Sequence, residues 1–483
     1  MSDMSDMADM ADMHEEAGLV FEPSPRDWPG LVRAGPAGEI LLATRAALGL
    51  PTDRPVIMAG HQPGFWHPGI LAKWFAAHAL AARVGGAGAW VVVDQSPGAG
   101  AEICYPAQDL SWLEPYAELR RTDPEEAARF RRPPIRIHRA VITLGDTDSP
   151  PASQPPVRVE HSAGSATARV LYGLDRIRWC LEQCVGEPNL ARQLHAAARL
   201  TLDRCDPLAT LFATDLHTTP AFTHLVGAMR ADPSACARLY NEAAGAHPDA
   251  GVRALAVSAG AVELPLWERS AEPGPWRTVG SDRLPDLPDE RLVLRGLPMT
   301  GLLRRWACDL FIHGTGGGAS HADEGYDRVT ERWLAGWLGA TDLAPAVVAS
   351  ATLRLDFGGL AAGIPTPAEI GAARDLAHRA AHDPALLGDA DLGREKRELA
   401  AQIAALPRGS ALRAELFARM QRLRERGAAG NTGALEALRA RAEALGARAE
   451  EAEIIAERAW PWPFYSGPQI ESLRASIGRA FDA

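Results

Sequence analysis

Two short apolar runs near the start of the chain bracket a helical stretch, and each ends at glycine or polar residues. Pro55-Val56-Ile57-Met58-Ala59-Gly60 leads into His61-Gln62-Pro63-Gly64-Phe65-Trp66-His67-Pro68-Gly69, and an alanine-rich segment follows from Ile70 to Arg83. The second run, Ala89-Trp90-Val91-Val92-Val93, stops at Asp94-Gln95-Ser96-Pro97. The pattern predicts strand, loop, helix and strand, with both strand ends on one side. Open α/β sheets bind ligands outside the carboxyl ends of their strands, so the loops after Gly60 and Val93 are the first candidates for a site.

Further along, residues 133–156 are rich in Pro, Ser and Asp and read as connecting structure, whereas 165–230 show helical apolar spacing through Val170, Leu174, Ile177, Leu181, Leu194 and Leu200. A helix is expected around Tyr240-Asn241-Glu242, and a strand around Leu292-Val293-Leu294. The apolar stretch Leu302–Ile312 feeds a glycine loop, His313-Gly314-Thr315-Gly316-Gly317-Gly318. From about 394 to 457 Arg, Glu, Ala and Leu dominate, and Leu412, Leu416, Met420 and Leu423 define a helical seam. Gly427–Gly433 interrupts that seam, and Leu435, Leu438 and Leu445 resume it, which predicts two antiparallel helices over 391–458.

Composition narrows the function classes. The 483 residues suffice for about three compact units, or one large α/β domain with an appendage. With 47% hydrophobic and 23% charged residues the chain is of ordinary globular type, which excludes a fibrous or mainly disordered protein. A net charge of −11 argues against a broad nucleic-acid footprint, so a small molecule is the expected partner. Arginine supplies nearly all the positive charge, Lys73 and Lys396 being the only lysines. Six cysteines are too sparse for a disulfide framework, so reduced thiols and a cytoplasmic location are expected. No apolar run reaches the roughly 20 residues that cross a bilayer, and no membrane association is expected. The repeated Met-small-Asp triplets at the start carry negative charge where a secretory signal would carry positive, and predict a disordered acidic tail over 1–27.

Several positions could carry chemistry. The Gly60-His61-Gln62-Pro63-Gly64 loop precedes a helix start, where backbone N–H groups can hold an anion, and Lys73 lies about a turn further on. It matches neither a Walker loop nor a dinucleotide fingerprint. A structural turn explains it as well as a ligand site does. Asp94 is a carboxylate at a strand end, fit for a hydroxyl, an amine or a cap. Glu242 could serve as a base, although consecutive helical residues point about 100° apart. The glycine loop Gly314–Gly318, with His313, Thr315 and the later Tyr326, suits a phosphate or carboxylate. His61, His67, His313 and His321 lack any HExxH-like pairing, and no metal site is expected. No nucleophile elbow is present.

The order of these islands resembles the bacillithiol synthase family, the cysteine-adding enzymes. The likeness is carried by AGHQPGFWHPGILAKWFAA with VVVDQS, by LYNEAAG with VELPLWERS, by LRGLPMTGLL with the glycine loop, and by the helical segment near the end. Gly60, His61 and Gln62 correspond to the family's glycine-glutamine-glutamine loop, Asn241 and Glu242 to its asparagine-glutamate pair, and Gly316, Gly317 and Gly318 to its glycine-rich turn. His61 stands where the family has glutamine, and its acidic cluster after the second strand is represented here by Asp94. His61-Gln62-Pro63, the helix that follows and Val91-Val92-Val93-Asp94-Gln95 are also similar, over about forty residues, to the start of WbqC-like proteins, which are associated with glycan and surface-polysaccharide biosynthesis.

The resemblance implies a Rossmann-like parallel-sheet core with helical insertions over 28–390, a coiled-coil hairpin over 391–458, and a segment, 459–483, that packs back on the core. It implies a ligase or transferase joining an acyl group such as cysteine to an amino-sugar-like or nucleotide-linked molecule, with a nucleotide as the candidate cofactor. His61 or Glu242 would be the base, and Asp94 would orient the amine. Gly60, Gln62, Lys73, Asn241, His313, Gly314, Thr315, Gly316, Gly317, Gly318 and Tyr326 would bind substrate. The competing expectation is a non-catalytic binding or assembly protein that keeps the fold and uses the hairpin as its interaction element, for example in a homodimer.

Overall fold

A computed structural model describes residues 18–33, 38–95, 100–109, 121–122, 136–146, 148–152, 167–202, 208–258, 260–269, 276–315 and 325–482. Its strands are β1 (Gly18–Glu22), β2 (Val56–His61), β3 (Ala87–Val92), β4 (Gly100–Asp109), β5 (Arg136–Asp146), β6 (Ala209–Phe212), β7 (Glu263–Glu268), β8 (Arg277–Gly280), β9 (Leu292–Leu294), β10 (Leu310–His313) and β11 (Ala346–Thr352). Six of them form one sheet in the order β1-β11-β10-β2-β3-β6. All its neighbours run parallel except β1, which lies antiparallel to β11 at the edge. The chain is thus α/β, with a mixed, mostly parallel sheet and a helix-rich C-terminal region. Gly18–Glu22, expected within a disordered tail, is instead a paired strand: Leu19 and Phe21 pack against the core and repay its ordering.

Side chains alternate between two apolar faces, as a parallel sheet covered on both sides requires. Ile57, Ala59, Trp90, Val92, Leu310 and Ile312 face one core. Helices Pro68–Arg83, Ala168–Gln183, Leu190–Thr201 and Gly467–Asp482 contribute to it. Met58, Ala89, Val91 and Phe311 face the other, built with helices Pro220–Ala231, Pro233–Ala246, Gly296–Trp306 and Tyr326–Leu338. Residues from Trp460 to Phe481 join the first core. A β4–β5 ribbon leaves shortly after β3, and β8-β7-β9 form a small antiparallel sheet. The β5 strand occupies part of 133–156, expected to be connecting structure, because Ile137 is buried against the core. Among the described residues no helix is long and apolar enough to cross a membrane.

At the amino ends of β2 and β10 a buried ionic node ties the sheet together. Arg45 Nη2 donates to Asp309 Oδ2 at 2.6 Å, and the same oxygen accepts the Val56 N–H at 2.8 Å. Arg45 Nε donates to the Ala307 carbonyl, and Arg33 donates to the Cys308 carbonyl.

The two-helix hairpin expected over 391–458 is not what the chain forms. Four helices, Ala390–Ala404, Ala411–Gly430, Thr432–Gly446 and Ala449–Ala456, occupy that span. Helix Thr432–Gly446 packs on Pro367–Ala380, and Ala411–Gly430 packs on Ala390–Ala404, so the two presumed arms touch little. Of the expected seam, Leu412 is more than half exposed and Leu423 is buried, while Leu435 joins a small cluster with Ala380 and Leu387 instead of pairing with the first arm. Gly427, expected in the turn, lies inside a helix where a Cβ would stand 2.6 Å from Pro384 Cγ. Asn431 is the junction.

Candidate functional site

Reading the parallel strands in chain order, β2, β3 and β6 step one way across the sheet, and β10 and β11 step the other way from β2. The direction reverses between β2 and β10, and such a switch point opens a crevice at the strands' carboxyl ends. His61 ends β2 and His313 ends β10, so the topology brings the two expected loops side by side.

Gly60 permits the close approach of β2 to β3. A Cβ there would overlap both the Val91 side chain and its carbonyl oxygen. Gly60→Ala is expected to cost about 1–3 kcal/mol through overpacking, read as a lower urea midpoint; an unchanged midpoint would refute this account of the glycine. Beyond it, the Gln62 carbonyl accepts the Trp66 indole N–H at 2.8 Å, which folds the loop back, and the Gln62 side chain is exposed. His67 caps helix Pro68–Arg83, its Nδ1 accepting the Gly69 N–H at 3.1 Å, and Pro68 supplies the helical φ at the first position. At Gly69 a Cβ would stand 2.9 Å from the Ala351 carbonyl oxygen, so glycine lets the helix start rest on β11.

That helix carries Lys73 beneath the ends of β2 and β10. The side chain is 4% exposed, and its Nζ donates to the Gly60 carbonyl at 2.5 Å and lies 5.6 Å from the centre of the Trp90 ring. A Cβ on Gly314 would stand 3.9 Å from Lys73 Cδ, so the lysine lies under both strand-end loops. Burial lowers its pKa to about 7. Among the described residues no carboxylate pairs with it. Burial, then the Lys73 charge, lower His61 to about 3; burial, then Arg458, lower His67 to about 4. Both imidazoles are neutral near pH 7. Arg458 Nη1 also donates to Thr352 Oγ1 at the end of β11, bringing the C-terminal segment to the same edge.

His313 packs on Phe311, ring centres 4.6 Å apart, and its Nε2 lies 3.0 Å from Oδ1 of the buried Asp327. Arg304 Nη1 donates to that oxygen at 3.0 Å, Nη2 to Glu331 at 2.6 Å, and Nε to the Ala344 carbonyl at 2.8 Å. Burial pushes the Asp327 carboxyl up, but His313 and Arg304 together outweigh it and hold it below its ordinary value.

Other expected site residues are spent on structure. Asp94 accepts the Thr214 N–H at 2.9 Å and the Thr214 hydroxyl at 2.6 Å, pinning the end of β3 to the turn after β6. Burial raises its carboxyl to about 6, against the pull of the Thr214 bonds. Asp94 is buried, and these two bonds make it a structural tie as placed here. Asn241 exchanges two hydrogen bonds with the Leu255 backbone, and Glu242 pairs on the surface with Arg238 one turn away. No hydrogen bond or ion pair joins either to His61, Lys73 or His313 among the described residues. Tyr326 packs its hydroxyl over Gly296, where a Cβ would be 2.5 Å away. Thr315 and Gly314 follow His313, while Gly316, Gly317, Gly318 and His321 lie outside the described residues.

Sequence reasoning did not single out Asp327, Arg304 or Gln95. Gln95 is 4% exposed beside Asp94, and neither atom of its amide has a partner among the described residues. Its signal was its place directly after the strand-end aspartate. A separate cavity of about 410 Å³ lies between helices Pro367–Ala380 and Thr432–Gly446, lined by Ile364, Leu376, Leu438 and Leu445 with Glu369 and Arg441. It holds none of the strand-end residues. Compared with known proteins, the chain matches no family model and no curated protein.

Proposed function

We propose that the chain has a Rossmann-like core that binds a phosphate- or carboxylate-bearing small molecule at the crevice between β2 and β10, and acts on it as a ligase or transferase of the bacillithiol-synthase type. The observation that carries the reading is Lys73. An ammonium taken out of water costs several kcal/mol unless a negative charge meets it, and here one backbone carbonyl is its hydrogen-bond partner. An anion seated over the Gly60 and Gly314 loops would supply the negative charge that no described residue brings to Lys73. Gln95, whose amide has no partner among the described residues at the next strand end, would add recognition.

The chemistry implied by the resemblance is redistributed. At about 3, His61 lies far below the range in which a general base works efficiently, so its neutral ring serves as a hydrogen-bond acceptor. Glu242 and Asp94 drop out as base and orienting group. Amino sugars, sugar-malate conjugates, cysteine and nucleotides remain the ligand series that this reading puts forward.

Titration calorimetry with sulfate, whose charge is constant over the range, tests the anion site. Lys73 must be protonated to bind, so affinity is expected to be flat below pH 7 and to fall by up to tenfold per unit above it. Lys73→Met should abolish binding. Sulfate binding that is absent, or that survives this substitution, would overturn the proposal. The second reading, an assembly protein, is favoured by the exposed Leu412 and Phe417 on helix Ala411–Gly430; it requires self-association that is lost when both become serine.

A further inference from the structure

The His313 contact reaches beyond anion binding. His313 closes β10 at the switch point, and its ring is confined on one side by Phe311 and on the other by Asp327. Asp327 is 3% exposed and cannot swing, because Arg304 grips Oδ1 while its other two arms are fixed to Glu331 and the Ala344 carbonyl. Its Oδ2 has no partner among the described residues, so the carboxylate keeps accepting capacity towards the imidazole. The approach is oblique: at 3.0 Å, His313 Nε2 completes no in-line hydrogen bond. Catalytic hydrogen bonds are often poorly aligned before the ligand arrives.

We propose that Asp327 is the positioning residue that turns His313 so that Nε2–H faces the carboxylate and Nδ1 faces the crevice as proton acceptor. This rests on the anion-site reading above and adds a base to it. As the amine or hydroxyl of the bound molecule attacks the carbonyl carbon of an acyl donor, its electron pair forms the new N–C or O–C bond, its proton passes to Nδ1, and the donor's leaving group departs with the electron pair of the acyl bond that breaks. The N–H or O–H bond breaks, an Nδ1–H bond forms, and the imidazolium charge is carried against Asp327. A carboxylate behind an imidazole sets its tautomer and stabilises the charged ring. Arg304 and Glu331 keep that carboxylate fixed through the step.

The test is a long-range proton–nitrogen correlation spectrum of the full chain with ¹⁵N-labelled histidine, the His313 signals assigned with His313→Gln. In the neutral ring the wild type is expected to show a protonated Nε2 and an unprotonated Nδ1. The opposite tautomer overturns the proposal without any variant. Asp327→Asn should shift the population towards the other tautomer, and Asp327→Glu should restore it; an unchanged tautomer in a folded Asp327→Asn protein also overturns it. Saturating sulfate should move the Nδ1 resonance. If calorimetry shows sulfate bound through Lys73 and that resonance stays still, Nδ1 does not face the crevice. If sulfate does not bind at all, the anion site fails while the tautomer still decides the role of Asp327.

Discussion

Replacing Asp309 by alanine is expected to cost about 3–5 kcal/mol of folding stability. Both partners of the Arg45–Asp309 pair are fully buried, and removing the carboxylate strands the guanidinium. It also deprives the Val56 N–H, the first of β2, of its acceptor. The surviving bonds of Arg45, to the Ala307 and Arg54 carbonyls, satisfy donors without neutralising charge. Asp309→Asn keeps the acceptor for Val56 and should fall between alanine and wild type. Urea unfolding measures both, as a shift in midpoint with the slope preserved. A loss under about 1 kcal/mol for alanine would show that water reaches Arg45 and that the node does not hold the strands.

Lys73→Met is expected to change sign with pH. The folded-state pKa is depressed from 10.5 to about 7, so the unfolded chain holds more protons between those values and wild-type stability rises with pH across that window. At about 1.4 kcal/mol per unit, burying the ammonium costs on the order of 4–5 kcal/mol at pH 6. Methionine removes this cost but leaves the Gly60 carbonyl without its donor, a loss of about 1–3 kcal/mol. The variant should therefore be more stable than wild type by roughly 1–4 kcal/mol at pH 6, and less stable above about pH 10. Denaturation at both pH values decides it. A variant less stable at pH 6 would mean that the ammonium is already compensated. A residue that lowers stability where it is charged is the pattern expected of a functional group.

The strand-loop-helix-strand unit at 55–93 was legible because its strands are continuous apolar runs and glycine and proline punctuate its loop. Gly60, His61, Lys73, His313 and Gly314 were read from strand ends or the helix beside them, but that the two loops are neighbours follows only from the parallel pairing of β2 with β10. Other strands were not legible. β11, AVVASAT, is half small residues, β6 is four residues long, and β1 depends on a partner more than 300 positions away. The partners of Lys73 and His313 were illegible for the same reason: Asp327 sits in an amphipathic helix where a carboxylate in the first turn ordinarily signals only a helix start. The heptad-like leucines at 412–423 specify a helix but not its neighbour, and here proline and alanine side chains of earlier segments take the place of the expected second arm. Asn241 and Glu242 were read as polar groups on a helix and then as a pair implied by the resemblance, but their local bonds to Leu255 and Arg238 could not have been read from spacing.

The pairing of β1 with β11 also bears on how the molecule is made. Gly18 to Glu22 emerges from the ribosome early, but its partner, Thr352 back to Val348, is among the last strand residues synthesised. Until then the opening segment has no place to dock, and the β11 edge has no cover. Pairings so distant in sequence are slow to form, and an unpaired edge invites association with other chains. Strand β1 thus acts as a late latch, and this edge of the sheet closes only after the more than 300 residues between the two strands have been made.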